Sequence, residues 1–271
     1  MNEAVRGSEQ IVKGPEGTRF FEIRRFPSLV STNAYLVAQG KAGAPEGLVV
    51  VADYQQKGRG RLDRRWVASP GSSILLSLLL RPPPELFKVW LLGASAALAA
   101  RRACSKVAGV EVGLKWPNDL LISERKAGGI LVESEVRSSS STLLEFAVVG
   151  IGINVACPTS LQEAPADGVD LSMVGWLEQM TEEAIDHEQL IKELLIAYEE
   201  IYSLACSPEA RAVEEEYRLH CTTLGKEVTV HTMQGELRGL ATDIDEDGRL
   251  LVEMANGVAR AVAVGDVVHL R

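Results

Sequence analysis

The sequence predicts an α+β fold, in which helices lie over one mixed β-sheet and a small all-β unit follows. Strand and helix patterns come in irregular order with several hairpin spacings, which does not fit the regular winding of a parallel sheet. Beyond Cys221 the texture changes to short alternating strands broken by Gly, Asp and Asn, with no helical period. With 271 residues, 46% of them hydrophobic, the chain can bury one large core and a small one.

The elements follow in order. Residues 1–18 are polar and Gly-rich and are expected to form a flexible tail. "FEIRRF" reads as a strand and "STNAYLVAQG" as a helix, capped by Ser31 or Thr32 and ended by Gly40. "GLVVVADYQ" and "SILLSLLLR" are buried strands, and Pro82 to Pro84 stop the second. "ELFKVWLLGASAALAARRACSKV" has the length and small residues of a core helix. Three strands follow, "VGLKWPNDLLI", "KAGGILVESEV" and "LLEFAVVGIGINV", with turns at Asn118-Asp119 and at serines 138 to 141. "HEQLIKELLIAYEEIYSLA" and "SPEARAVEEEYRLHC" are amphipathic helices. The division expected is a main domain over 19–221 and a β-barrel over 222–271, the latter too small to stand without docking.

Charge and cysteine usage narrow the function. Lys plus Arg total 28 against 37 acidic residues, a net charge of -9, which disfavours general nucleic-acid binding. The four cysteines, Cys104, Cys157, Cys206 and Cys221, form no CxxC pair, so neither a zinc site nor a disulfide framework is expected. The start "MNEAVRGSEQIVKG" has no apolar core, and no apolar run reaches the roughly 20 residues that cross a bilayer. A soluble, cytoplasmic protein is the expectation.

Against that acidic background, "QQKGRGRLDRRW" (Gln55 to Trp66) packs four arginines, a lysine and two glycines. Gly58 and Gly60 permit positive φ and close approach to the amides, and Arg59 and Arg61 add forked donors suited to carboxylate or phosphate. The plain alternative is a solvated basic turn. "LKWPNDLLISERKAGGILVES" sets Lys115, Asn118, Asp119 and Lys126 between apolar strands, with Gly128 and Gly129 allowing close backbone approach. An ammonium there could hold a carboxylate against a phosphoryl group, and Asp119 could ligate a metal or orient a nucleophile. Equally, Asn118-Asp119 could be only a turn and Lys126 only a surface charge. "VVGIGINV" ends a buried strand at Asn154 but lacks the third glycine and the helix of a dinucleotide site. The four histidines form no metal spacing.

Taken in order, "STN", "QQ-GRGR-W", "KWPND", "RK-GGILVE" and "VGIGINV" resemble the biotin protein ligases, and the tail ending "GDVVHLR" looks like that family's C-terminal barrel. The resemblance implies a catalytic fold like that of class II aminoacyl-tRNA synthetases, with an SH3-like barrel behind it. It implies ATP-dependent activation of biotin to biotinyl-5'-AMP with Mg2+, then transfer to a lysine of a biotin carboxyl carrier domain. By motif, Ser31, Thr32, Asn33, Gln55, Arg59, Gly60, Arg61, Lys126 and Gly129 would bind biotin. Gly58, Arg59, Arg61, Trp66, Asn118, Lys126 and Asn154 would bind the nucleotide. Lys126, Arg61, Asp119 and Lys115 would carry the chemistry, with Asp119 also a possible Mg2+ ligand. Because an acyl-adenylate is easily hydrolysed, the basic loop must close over it, and it is expected to be mobile or disordered without ligand and ordered with biotin. Asp63 stands where the loop commonly has a third glycine. No N-terminal DNA-binding domain is expected, so no repressor role, and a homodimer could form through residues 129 to 136. The rival expectations are a lipoate or octanoate ligase and, more remotely, a nucleic-acid-binding module.

Overall fold

A computed structural model describes residues 5–6, 8–62, 64–83, 88–136, 144–158, 170–232, 235–263 and 265–269. The first half runs β1 (Val5–Arg6), β2 (Gln10–Lys13), β3 (Glu22–Phe26), β4 (Ser28–Leu29), α1 (Thr32–Lys41), β5 (Leu48–Ala52), β6 (Gly58–Arg59), β7 (Arg65–Trp66) and β8 (Ser73–Leu80). Then come α2 (Val89–Ala108), β9 (Gly113–Lys115), β10 (Asp119–Ile122), β11 (Arg125–Val136), β12 (Leu144–Asn154), α3 (His187–Ala205) and α4 (Arg211–His220). Five strands close the chain, β13 (Glu227–Thr232), β14 (Gly235–Ile244), β15 (Leu250–Glu253), β16 (Ala259–Val262) and β17 (Asp266–His269).

The main sheet has eight strands in the order β2-β3-β5-β8-β12-β11-β10-β9. Only β3 and β5 pair in parallel, because α1 lies between them in sequence and carries the chain back to the starting end. Every other neighbour in this sheet is antiparallel, which makes it the mixed sheet expected.

Both faces are covered, and the strand period of two sorts the side chains. On β5, Val49 and Val51 join one core, with α2 and α3, while Leu48, Val50 and Ala52 join a second with α1. On β8, Ile74, Leu76, Leu78 and Leu80 go to the first and Leu79 to the second. This two-sided burial explains why "LVVVA" and "SILLSLLL" are continuous apolar runs. Ser31 caps α1, Asp186 caps α3, and Gly109 closes α2 in the left-handed conformation at φ 65°.

The tail departs from expectation. β2 pairs with β3 at the edge of the main sheet, and β1 pairs with β4. The outer edge of β3 would otherwise present unpaired N–H and C=O groups, and β2 satisfies them. "VGLKWPNDLLI" is a hairpin rather than one strand: β9 and β10 pair across a turn at Trp116 to Asn118, whose Trp116–Pro117 peptide is cis, and Asp119 already lies in β10. β11 and β12 pair antiparallel, while the serine run that should join them lies outside the described residues, as do Pro84 and Asp63.

The C-terminal strands form a five-stranded antiparallel sheet, with the last expected strand split into β16 and β17. Its interior residues, among them Val228, Val230, Ile244 and Leu250, are continuous with the main core. Trp90 Nε1 and Trp116 Nε1 of the main domain donate to the backbone oxygens of Glu246 and Gly248.

Candidate active site

The site lies on the face of the sheet that carries α1. Alternation puts Leu75 and Ser77 of β8, Gly150 and Gly152 of β12, and Gly129, Leu131 and Glu133 of β11 on that face, because their neighbours Leu76, Ile151 and Ile130 fill the opposite core. The glycines are needed for space. A Cβ at Gly150 would lie 2.2 Å from Asn33 Oδ1, and one at Gly152 would lie 2.7 Å from the Trp66 ring.

The N-terminus of α1 supplies Ser31, Thr32 and Asn33, all buried. The Thr32 amide and hydroxyl donate to Gln55 Oε1 at 2.8 and 3.1 Å. The Ser77 hydroxyl sits between Asn33 Oδ1 at 2.6 Å and Thr32 Oγ1 at 2.7 Å. Asn33 Nδ2 donates to Glu133 Oε2 at 2.9 Å, so both ends of that amide are spent inside the protein. Ser31, Thr32, Asn33 and Gln55, with Arg59, Trp66, Gly129 and the aliphatic walls, line a cavity of about 30 Å³.

The basic loop folds as a small hairpin. β6 pairs with β7, the Gly60 amide donates to the Arg64 carbonyl at 2.7 Å, and Arg64 N donates to Arg61 O. Gly58 and Gly60 do not take positive φ, contrary to expectation; the left-handed residue is Leu62, at φ 53°. What Gly58 provides is close approach, since a Cβ there would meet the Trp66 carbonyl at 2.4 Å. Arg59 forms an ion pair with Glu133 at 2.8 Å, and Arg61 Nη1 donates to Asn118 Oδ1 at 3.1 Å. Asn118 Nδ2 in turn donates to the Ile130 carbonyl.

A shift in register aims the lysine. Leu120 pairs with Gly128 and Leu121 with Lys126, so Ala127 is left without a partner on β10 and turns into the core. This bulge puts Lys126 and Gly129 on one face although they are three positions apart, which strict alternation forbids. Lys126 Nζ lies 2.6 Å from Asp119 Oδ1 and 5.9 Å from the centre of the Trp66 ring. Trp66 thus neighbours both the pocket and the lysine, its Nε1 buried without a hydrogen-bond partner among the described residues. Lys115 lies across the β9–β10 ladder from Asp119. Burial and then the charge of Lys115 hold His269 below its ordinary pKa.

The structure therefore brings Ser31, Thr32, Asn33, Gln55, Arg59, Trp66 and Gly129 into one pocket, with Lys126 and Asp119 beside it. Asn154 stands apart from the lining. It is buried and its Nδ2 donates to the backbone oxygens of Lys126 and Gly175, tying three segments together. Among the described residues no three His, Cys, Asp or Glu side chains cluster as a metal cage, and Asp119 Oδ1 is taken up by Lys126. A lone carboxylate is too few donors for an all-protein cage, and it fits only a Mg2+ whose other ligands are phosphates and water. Sequence reasoning missed Ser77 and Glu133. Their signals were a hydroxyl in the middle of the apolar strand "SILLSLLL" and a carboxylate four residues after Gly129, on the same strand face.

Residues 26–154 match the Biotin/lipoate A/B protein ligase family, and residues 223–270 match the Biotin protein ligase C terminal domain. The chain is 34% identical over 249 residues to the biotin--[acetyl-CoA-carboxylase] ligase of Mycobacterium tuberculosis, covering 89% of this chain and 86% of that protein. It is 33% identical over 217 residues to the bifunctional ligase/repressor BirA of Bacillus spizizenii. That match covers 80% of this chain and 65% of the relative, so the chain spans less than two thirds of its length. Among solved structures, the biotin protein ligase from Aquifex aeolicus in complex with biotin and ATP has a TM-score of 0.74 to this chain. The likeness covers 92% of this chain and 98% of that one at 24% identity, and it concerns the fold. Two matched segments in their expected order, with kinship over most of the length of the mycobacterial enzyme, show that this chain belongs to the biotin/lipoate A/B protein ligase family, in its biotin protein ligase branch.

Proposed function

We propose that the chain is an ATP-dependent biotin protein ligase acting on the carrier domain of a biotin-dependent carboxylase. Residues 19–221 form the catalytic unit in this reading and 222–271 the barrel. A carboxylate oxygen of biotin attacks the α-phosphorus of ATP, and pyrophosphate leaves. The carrier lysine then attacks the acyl carbon of biotinyl-5'-AMP, forming the amide and releasing AMP.

The observation that carries this reading is the convergence of a polar pocket, Arg59 and Lys126 on one sheet face. Ser31, Thr32 and Gln55 hold the biotin head, while Asn33, with its amide spent on Ser77 and Glu133, shapes the pocket. Two negative groups must be brought together, and Arg59, Arg61 and Lys126 screen their repulsion. Lys126 exchanges Asp119 for the developing charge between carboxylate and phosphate. Trp66 packs on the bound adenylate from its seat over Gly129 and Gly152. Asn154 and Asn118 act on the nucleotide side through the backbone they fix. Lys115 supports the phosphates. Mg2+ arrives with ATP, held by its phosphates. The outer edge of β11 beyond Gly129 is the proposed surface for self-pairing, since β10 reaches no further along it.

Incubation with labelled biotin, ATP, Mg2+ and a carrier domain tests the reading, with mass spectrometry of the carrier as readout. One biotinylated lysine is expected, competed by unlabelled biotin and not by lipoate. A carrier left unmodified while ATP and biotin are intact rejects it.

A further inference from the structure

Glu133 sits at the centre of the polar network around the pocket. Its Oε1 holds Arg59 Nη1 at 2.8 Å, and its Oε2 accepts from Asn33 Nδ2 at 2.9 Å. The contacts run on through Ser77 and Thr32 to Gln55. Gln55 and Arg59 belong to one loop, so the network ties together Thr32, Asn33, Gln55 and Arg59 of the pocket wall, with Ser77 and Glu133 behind them. The free space in that pocket is about 30 Å³. That free space is small beside a ligand the size of biotin, and Arg59 is the polar residue of the wall most open to solvent.

The chemistry says which link gives way. Thr32, Asn33 and Ser77 are 3%, 4% and 0% exposed, and breaking their contacts would strand polar groups away from water. The Arg59 side chain is 52% exposed, and ion pairs with a partner that open to solvent are weak. Glu133 also keeps Asn33 as a partner when Arg59 departs.

Resting on the ligase reading, we infer that Glu133 is a positioning residue, a resident carboxylate that holds Arg59 at the pocket wall and yields it to the carboxylate of the entering substrate. One anion replaces another on the guanidinium, so the site favours an incoming acid over its neutral analogue only by outcompeting Glu133.

Calorimetric titration of the full chain with biotin and with its neutral primary amide tests this. In Glu133→Gln a side-chain oxygen can still accept from Asn33, but the competing charge is gone. Biotin is expected to bind roughly 2- to 5-fold more tightly to this variant and the amide equally to both chains. An unchanged preference for acid over amide, or weaker binding of both, overturns the inference. Arg59→Gln gives a route that does not depend on how the Glu133 variant folds. There the unneutralised Glu133 faces the incoming carboxylate, so the amide is expected to bind more tightly than biotin; a retained preference for the acid overturns the inference. Failure of the wild-type chain to bind either ligand would overturn the ligase reading itself, and this inference with it.

Discussion

Ser77 shows how much one hydroxyl can decide. It is fully buried in an apolar strand, and its oxygen sits between Asn33 and Thr32. Ser77→Ala leaves Asn33 Oδ1 buried without its donor, an expected cost of about 1–3 kcal/mol in denaturant unfolding, with weaker biotin binding. Unchanged stability and affinity would mean that the network repairs itself. Lys126 is half exposed, so its substitution should spare the fold and act on chemistry. Lys126→Ala is expected to slow adenylate formation by ~10²-fold or more, read as pyrophosphate release. A normal rate in that variant would remove it from the mechanism. Asn33, Arg59 and Lys126 were legible in "STN", "GRGR" and "RK-GG", while Ser77 was not. Nor were their bonds. A sequence does not show that Asn33 turns both ends of its amide inward, because its partners lie 44 and 100 residues away.

At the scale of elements, local rules did most of the work where the signals were strong. α3 spans His187–Ala205, the stretch its period marks out, and Asp186 caps it by accepting from Glu188 N and Gln189 N at 2.8 and 3.1 Å. Asp186→Ala is expected to cost about 1 kcal/mol, seen as a lower unfolding midpoint, while Asp186→Asn costs less. Equal losses from both would point to something other than the cap. Local rules were silent about β2, four residues inside a polar, Gly-rich segment that become a strand because β3 offers an open edge. They were silent about the bulge at Ala127 as well, since a one-residue shift in pairing depends on the partner strand. The basic loop also kept its geometry hidden: the turn falls to Leu62 rather than to either glycine.

Over the whole molecule, the C-terminal sheet braces the site from behind. Trp116 of "KWPND" donates its backbone N–H to Thr223 Oγ1 and its indole N–H to Gly248 O. His269 of β17 lies 3.2 Å from that threonine oxygen and 3.7 Å from Glu124. Burial, then the charges of Lys115 and Lys226, hold its pKa below the ordinary 6.5. Above pH 6.5 the folded and unfolded chains both carry it neutral, and it has no effect on stability. As pH falls below 6.5 the unfolded chain takes up the proton first, so stability is lost until the folded pKa is passed. His220, also held low by burial, adds to the same loss. Chemical unfolding of His269→Gln between pH 7 and 5, a window set by that ordinary His pKa of about 6.5, should show a shallower decline. An identical decline would place the proton elsewhere. By itself the sequence determined where most helices and strands would form and pointed to the residues proposed for the chemistry, because side-chain type and hydrophobic period act over a few neighbours. Only the tertiary structure decided that Glu133 meets Arg59, that Lys126 turns toward Trp66 and that the last sheet holds Trp116. Each of these is fixed by pairing between distant strands, and the free energy of such pairing is set by the whole sheet.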